Sequence, residues 1–147
     1  MKKTFSVSFF AVSKSGNSGL CTNPEDEKTP EGIRAVIDRS NERQKQNDYP
    51  SCQYVIIRKT VETIKDDNGV FVCRSTFDNA VEIYPAKADK TPYYLVKDCE
   101  TKAGRFLGSC LMGTFSRSKA VDVSNHNPGT YVAEQNTGKT IFENPKE

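Results

Sequence analysis

Between residues 4 and 13, TFSVSFFAVS, phenylalanine and valine alternate with serine, the period of a half-buried strand. Residues 53–84 repeat the alternation at greater length, as two β-branched runs on either side of Asn68-Gly69. Asn-Gly in that setting predicts a hairpin closed by a two-residue type I′ turn, because such a turn needs φ > 0 at both central positions. A fixed turn fixes the register. One face then sets Ile64 against Cys73, Thr60 against Phe77, Arg58 against Asn79, Ile56 against Val81 and Tyr54 against Ile83. The other sets Thr63 against Arg74, Lys59 against Asp78 and Ile57 against Ala80. The first face gathers the larger apolar groups, so Ile56, Ile64, Phe71, Cys73, Phe77 and Val81 are expected to meet a core. The second is expected in water, with Lys59 and Asp78 as an opposite-charge pair. Arms of this length would run about 45 Å at the usual strand rise. Either a bulge bends the ribbon near residues 58–62, where both faces turn polar, or its tip projects from the body.

The remaining elements follow from local signals. Thr29 as N-cap, Pro30 at the first position and Glu31 in the first turn predict a helix start. Its apolar stripe is Ile33, Val36 and Ile37, and the polar run SNERQKQND predicts a solvated end near Asn47. Residues 14–28 form a polar loop, and loops of that length are usually functional or mobile. Residues 91–103 suit a helix or a strand, whereas Gly104, Gly108 and Gly113 argue against a helix over 104–117. Two turns near the end, at Asn127-Pro128-Gly129 and at residues 136–139, are read as joining strands at 120–124, 130–134 and 140–143. The expected fold is a single α+β domain over residues 1–147. It is a mainly antiparallel sheet built around the hairpin at about 53–84, with one or two helices on one face.

Composition narrows the classes. The 21 basic and 19 acidic residues leave a net charge of +2, which is no electrostatic footprint for a duplex-DNA binder. No run approaches the roughly 20 apolar residues that span a bilayer. The opening MKKTFSVSFFAVSKSG has the lysines of a secretory signal, but its serines keep a strand period, and Leu20-Cys21 places a bulky residue where lipoprotein cleavage wants a small one. Five scattered cysteines, no CxxC pair and a single histidine predict reduced thiols, no metal site and a cytoplasmic setting.

Candidate chemistry is sparse. Gly138-Lys139-Thr140 imitates the end of a phosphate loop, yet position 133 is Ala133 and a strand-like run follows. Gly16-Asn17-Ser18-Gly19 has the spelling of a backbone-clamping loop without the helices that flank one. His126 could activate Cys110 or Cys99, but it sits in a turn-forming string and neither cysteine has a supporting context. Asp66-Asp67 and Glu25-Asp26-Glu27 read as solvated charge. Aromatic residues interleaved with basic ones, Tyr54 and Phe71 with Arg58 and Arg74, resemble a stacking platform for single-stranded nucleic acid.

The expectation is therefore a small non-catalytic binding or assembly module, of a makeup shared with small phage-encoded proteins. It needs no cofactor, and it would contact a protein partner or a second copy of itself through the hairpin tip and the 14–28 loop. The contact residues expected are Lys59, Lys65, Asp66, Asp67, Asn68 and Arg74, with Asn17 and Ser18. Its rivals are a single-stranded nucleic-acid binder and a cysteine-dependent enzyme.

Overall fold

A computed structural model describes residues 1–15, 19–98 and 110–145. Over these residues the chain is α+β and mostly strand, with seven strands in two antiparallel sheets and two α-helices. It divides into two compact units, Met1–Arg43 with Ser51–Ala88, and Gln44–Pro50 with Asp89–Glu147.

The first unit is a three-stranded sheet of β1 (Lys2–Ser13), β2 (Tyr54–Lys65) and β3 (Phe71–Tyr84), with β2 in the middle. Helix α1 (Pro30–Gln46) starts where its signals place it, and the Gly32 N–H donates to Thr29 Oγ1 at 3.1 Å. Ile33 and Ile37 bury against Ala11, Tyr54 and Ile56, and Phe9, Leu20, Cys52 and Tyr84 close the margin. One turn further, the stripe becomes polar. Asn41 is buried, and its amide donates to the Cys52 carbonyl at 3.0 Å while its Oδ1 accepts the Cys52 N–H at 2.9 Å. A side chain thus serves the Cys52 backbone as a neighbouring strand would. At the C-terminus of α1, Asp48 takes φ 62°, the Tyr49 N–H donates to the Gln44 carbonyl and the Asp48 N–H to the Lys45 carbonyl. This is the Schellman arrangement, with aspartate where glycine is usual.

The hairpin forms at Asn68-Gly69, but its turn differs from the expected one. Gly69 has φ 79°, while Asn68 stays at negative φ, so the loop is three residues long rather than a type I′ pair. Asp66 closes it. Its carbonyl accepts from Gly69 N–H at 3.0 Å, and its Oδ1 accepts from Asn68 N–H and Val70 N–H at 2.9 Å each. That carboxylate supplies backbone partners that a tighter turn would not have needed.

Between residues 57 and 64 the pairing is the expected one, with Lys59 against Asp78, Thr63 against Arg74 and Ile64 against Cys73. Register shifts at Ile56/Ile57 and Ile64/Lys65 then displace both ends. The first puts Glu82 rather than Val81 against Ile56, and Tyr84 rather than Ile83 against Tyr54. The reason lies on α1. Arg34 binds Glu82, with Nη2 at 2.6 Å and Nε at 2.8 Å from Oε1, and the Tyr84 hydroxyl donates to Asp38 at 2.9 Å. The shifted register makes these two polar pairs between strand and helix and leaves Val81 and Ile83 each 43% exposed.

The second unit is a sheet ordered β5 (Cys110–Thr114), β4 (Tyr94–Asp98), β6 (Thr130–Glu134), β7 (Thr140–Asn144). Helix α2 (Arg117–Asn125) contributes Ala120 to a core with Val96 and Val132. Residues 120–124, expected as a strand, lie in α2. Ser116 caps that helix by accepting the Lys119 N–H at 3.2 Å, and Ala120 and Ser124 form its buried stripe. The Ser124 and Thr130 hydroxyls share a buried bond of 2.7 Å. Tyr93 is buried edge-on to Phe115, and its hydroxyl donates to the Asp48 carbonyl at 2.8 Å.

Two outcomes are expected. Asn41→Leu removes both side-chain bonds to the Cys52 backbone and should lower unfolding free energy by about 1–3 kcal/mol, read by urea denaturation. Burial, and the nearby Asp48, hold the Tyr93 phenol above its ordinary value. The folded state therefore keeps a proton that the unfolded chain gives up near pH 10. Stability from this group is complete below about pH 10 and is lost as pH rises through the folded value. Tyr93→Phe should flatten the alkaline decline seen in wild type, measured by denaturation at a series of pH values.

Candidate interaction surface

A helix covers a sheet only as far as its apolar stripe reaches. From Ile33 to Asn41 that stripe spans about 12 Å, against about 40 Å for the strands of the first unit. The covered part is the base of the sheet, around Ala11, Tyr54 and Ile56. Outward from Phe9 the same face continues with no buried residue. Its rungs are Phe9, Arg58, Asn79; then Val7, Thr60, Phe77; then Phe5, Glu62, Ser75; then Lys3, Ile64, Cys73. Phe5 is 62% exposed and Phe77 49%, and Val7 and Cys73 are exposed as well. The face expected to meet a core through Phe71, Cys73 and Phe77 is therefore bare, because nothing on α1 extends that far.

The opposite face and the tip are also open. Lys59 and Asp78 occupy one rung, yet among the described residues neither forms an ion pair. Arg74 stands over the Phe71 ring at 5.8 Å, on the face carrying Lys65. The bulge at the tip brings those two together, since regular alternation would have put Phe71 with Cys73. Val70, Phe71 and Val72 are all exposed beside the turn.

The contact residues expected from sequence fall into two groups. Lys65, Asp66, Asp67 and Asn68 gather at the tip, and Lys59 and Arg74 lie further down one face. One of them has work inside the fold, since Asp66 closes the turn, whereas Asp67 is 92% exposed. Asn17 and Ser18 lie outside the described residues, as does Cys99. The rest of the 14–28 loop is well tied. Asn23 and Asp26 cap each other's backbone N–H, Thr22 donates to Glu27 at 2.7 Å, and Leu20 packs at the core margin. Gly32 lets the Asp26 carbonyl approach so closely that any Cβ there would collide with it.

The four residues of the stacking-platform reading do not come together. Tyr54 is buried in the core at the base, whereas Phe71 lies at the far end. His126 sits at the end of α2, with Nδ1 2.8 Å from the Asp122 carbonyl oxygen and 3.8 Å from its carboxylate. No group of three metal-ligating side chains occurs among the described residues, and no helix among them is long and apolar enough to cross a membrane. A depression along α2, lined by Arg117, Ser118, Val121, Asp122 and Asn125, draws on one helix and lacks convergent groups from separate elements. Phe5 and Val7 are the surface residues that sequence reasoning missed. Comparing the length of the helix stripe with the length of the strands would have found them.

No family model, curated protein or solved structure matches the chain.

At the edge of the patch, the bond to Glu82 raises the Arg34 guanidinium above its ordinary value, and the bond to Asp38 raises the Tyr84 phenol. Both keep their protons in these pairs, which fix where the covered base ends. Thermal and urea unfolding should register the same boundary. Phe5→Ser and Phe77→Ser should each cost less than about 1 kcal/mol, whereas Ile56→Ala should cost about 2–5 kcal/mol.

Proposed function

We propose that this chain is a non-catalytic binding or assembly module whose working surface is the uncovered part of the three-stranded ribbon. One observation carries the reading: the ribbon presents Phe5, Val7 and Phe77 on one face, and residues 70–72 at its tip, exposed and without cover among the described residues. Leaving aromatic area in water forfeits stabilisation that burial would return, at about 25 cal/mol per Å². Contiguous exposed apolar patches of this kind mark interaction sites. The occupant is a protein surface or a second copy of the chain. Residues 22–27 are tied into the fold, which supports the tip and the bare face as the surface that carries the function.

The Arg74/Phe71 pair beside Lys65 favours one further reading, a single-stranded nucleic acid stacked at the tip. Lacking Tyr54, that platform has one aromatic ring.

The test compares wild type with the Phe5→Ser/Phe77→Ser double variant in cross-linking and affinity capture, with bound proteins quantified by mass spectrometry. Labelled oligothymidylate at low salt serves as a separate arm. The expected result is self-association or a captured protein that weakens at least about tenfold in the double variant. Identical behaviour of the two chains, or a strictly monomeric wild type that captures nothing, would overturn the reading. Oligonucleotide binding lost in Arg74→Ala would transfer it to nucleic acid.

A further inference from the structure

Strand β3 is the edge of its sheet, fourteen residues long, and exposed from Phe71 through Val81 on both faces. Its outer row of N–H and C=O groups has no partner among the described residues. Natural edge strands are usually blunted by lysine, proline or a mid-strand bulge. Here the two bulges lie at the ends, and residues 73–80 run in unbroken register without lysine, proline or glycine. Such a segment is open to pairing.

Its charges say with what. Arg74 and Asp78 are the two charged residues between 72 and 80, and they are placed symmetrically about Thr76. Both lie on the same face, and among the described residues neither forms an ion pair within the chain. We propose that β3 pairs antiparallel with β3 of a second copy, about a two-fold axis through Thr76 and perpendicular to the sheet. This rests on the reading of the ribbon as a contact surface and names its occupant. Thr76 then faces Thr76 of the second copy, and each Arg74 faces the other copy's Asp78. Asp78 thereby sits between Lys59 on its own β2 and the incoming guanidinium. On the other face, Ser75 meets Phe77, and Cys73 meets Asn79.

Shifting the axis to Ser75 or Phe77 leaves both charges opposite neutral residues, so the central register is the self-complementary one. Such a contact is isologous and closed, which ends assembly at two copies rather than continuing as a fibre. An axis perpendicular to the sheet also keeps like faces together. The two patches of Phe5, Val7 and Phe77 become one continuous surface on a six-stranded sheet.

Light scattering and sedimentation velocity on the full chain test this, with circular dichroism as the folding control. Wild type should show twice 16.4 kDa. Arg74→Asp and Asp78→Arg should each weaken association at least about tenfold through facing like charges, and the combined swap should restore it. In a second measurement, Thr76→Cys should cross-link to its own copy under mild oxidant, because directly opposed Cα atoms stand about 4.5–5.5 Å apart. The native chain, with its own cysteines, is the control. A monomeric wild type, unaffected single reversals, failure of the swap to restore the dimer, or absence of the Thr76→Cys cross-link would each overturn the proposal. A monomer that still captures a protein through Phe5 and Phe77 would refute this pairing while leaving the ribbon's binding role standing. A monomer that captures nothing would end both.

Discussion

The first unit depends on a mismatch between two lengths. Helix α1 offers two turns of apolar surface and one buried asparagine, whereas the strands beneath it run several times further. Everything within reach of Ile33 and Ile37 becomes core. Everything beyond becomes surface, whatever its side chains. The hydrophobic effect would favour covering Phe5, Val7 and Phe77, but a single helix with a charged outer half cannot supply the area. The ribbon survives because its central strand is paired on both sides and because its turn is held by the Asp66 carboxylate. Backbone bonding thus maintains a shape that side-chain burial alone would not.

The parts of this fold set by neighbouring residues were legible in the sequence. The Thr29 cap and the Ile33/Val36/Ile37 stripe place α1, and Asn68-Gly69 places the hairpin and the register of its regular centre. The final hairpin at residues 130–143 also follows from its turn signal. What stayed hidden depended on distant residues. The shift at Ile56/Ile57 is chosen by Arg34 and Asp38 on another element, and no pattern within β3 announces it. Residues 120–124 alternate like a strand, yet the Ser116 cap and the Ala120/Ser124 spacing make them helical once Val96 and Val132 provide something to pack against.

The surface was half legible for a related reason. Lys65, Asp67, Asn68 and Arg74 were expected to be exposed and are. Phe5 and Val7 were read as a buried face, because alternation reports amphipathicity and says nothing about whether a partner layer exists. Charge adds a second guide at the edge: among the described residues neither Arg74 nor Asp78 forms an ion pair, and their spacing about Thr76 motivates the proposed pairing with a copy of the same strand.

The extra residue at Val81 has a consequence for how β3 can change in length. Ala80 already faces Ile57, and Glu82 already faces Ile56, so Val81 occupies no rung of the ladder. Deleting it would leave each pairing, and both contacts to α1, where they are. Removing any single residue from 73–80 would instead turn part of the strand over, exchanging its two faces. Val81 is thus a dispensable letter, as Val72 is at the second shift, and the strand between them is bound by parity. What it contributes is bend and added twist, so it sets the direction in which the ribbon leaves its base.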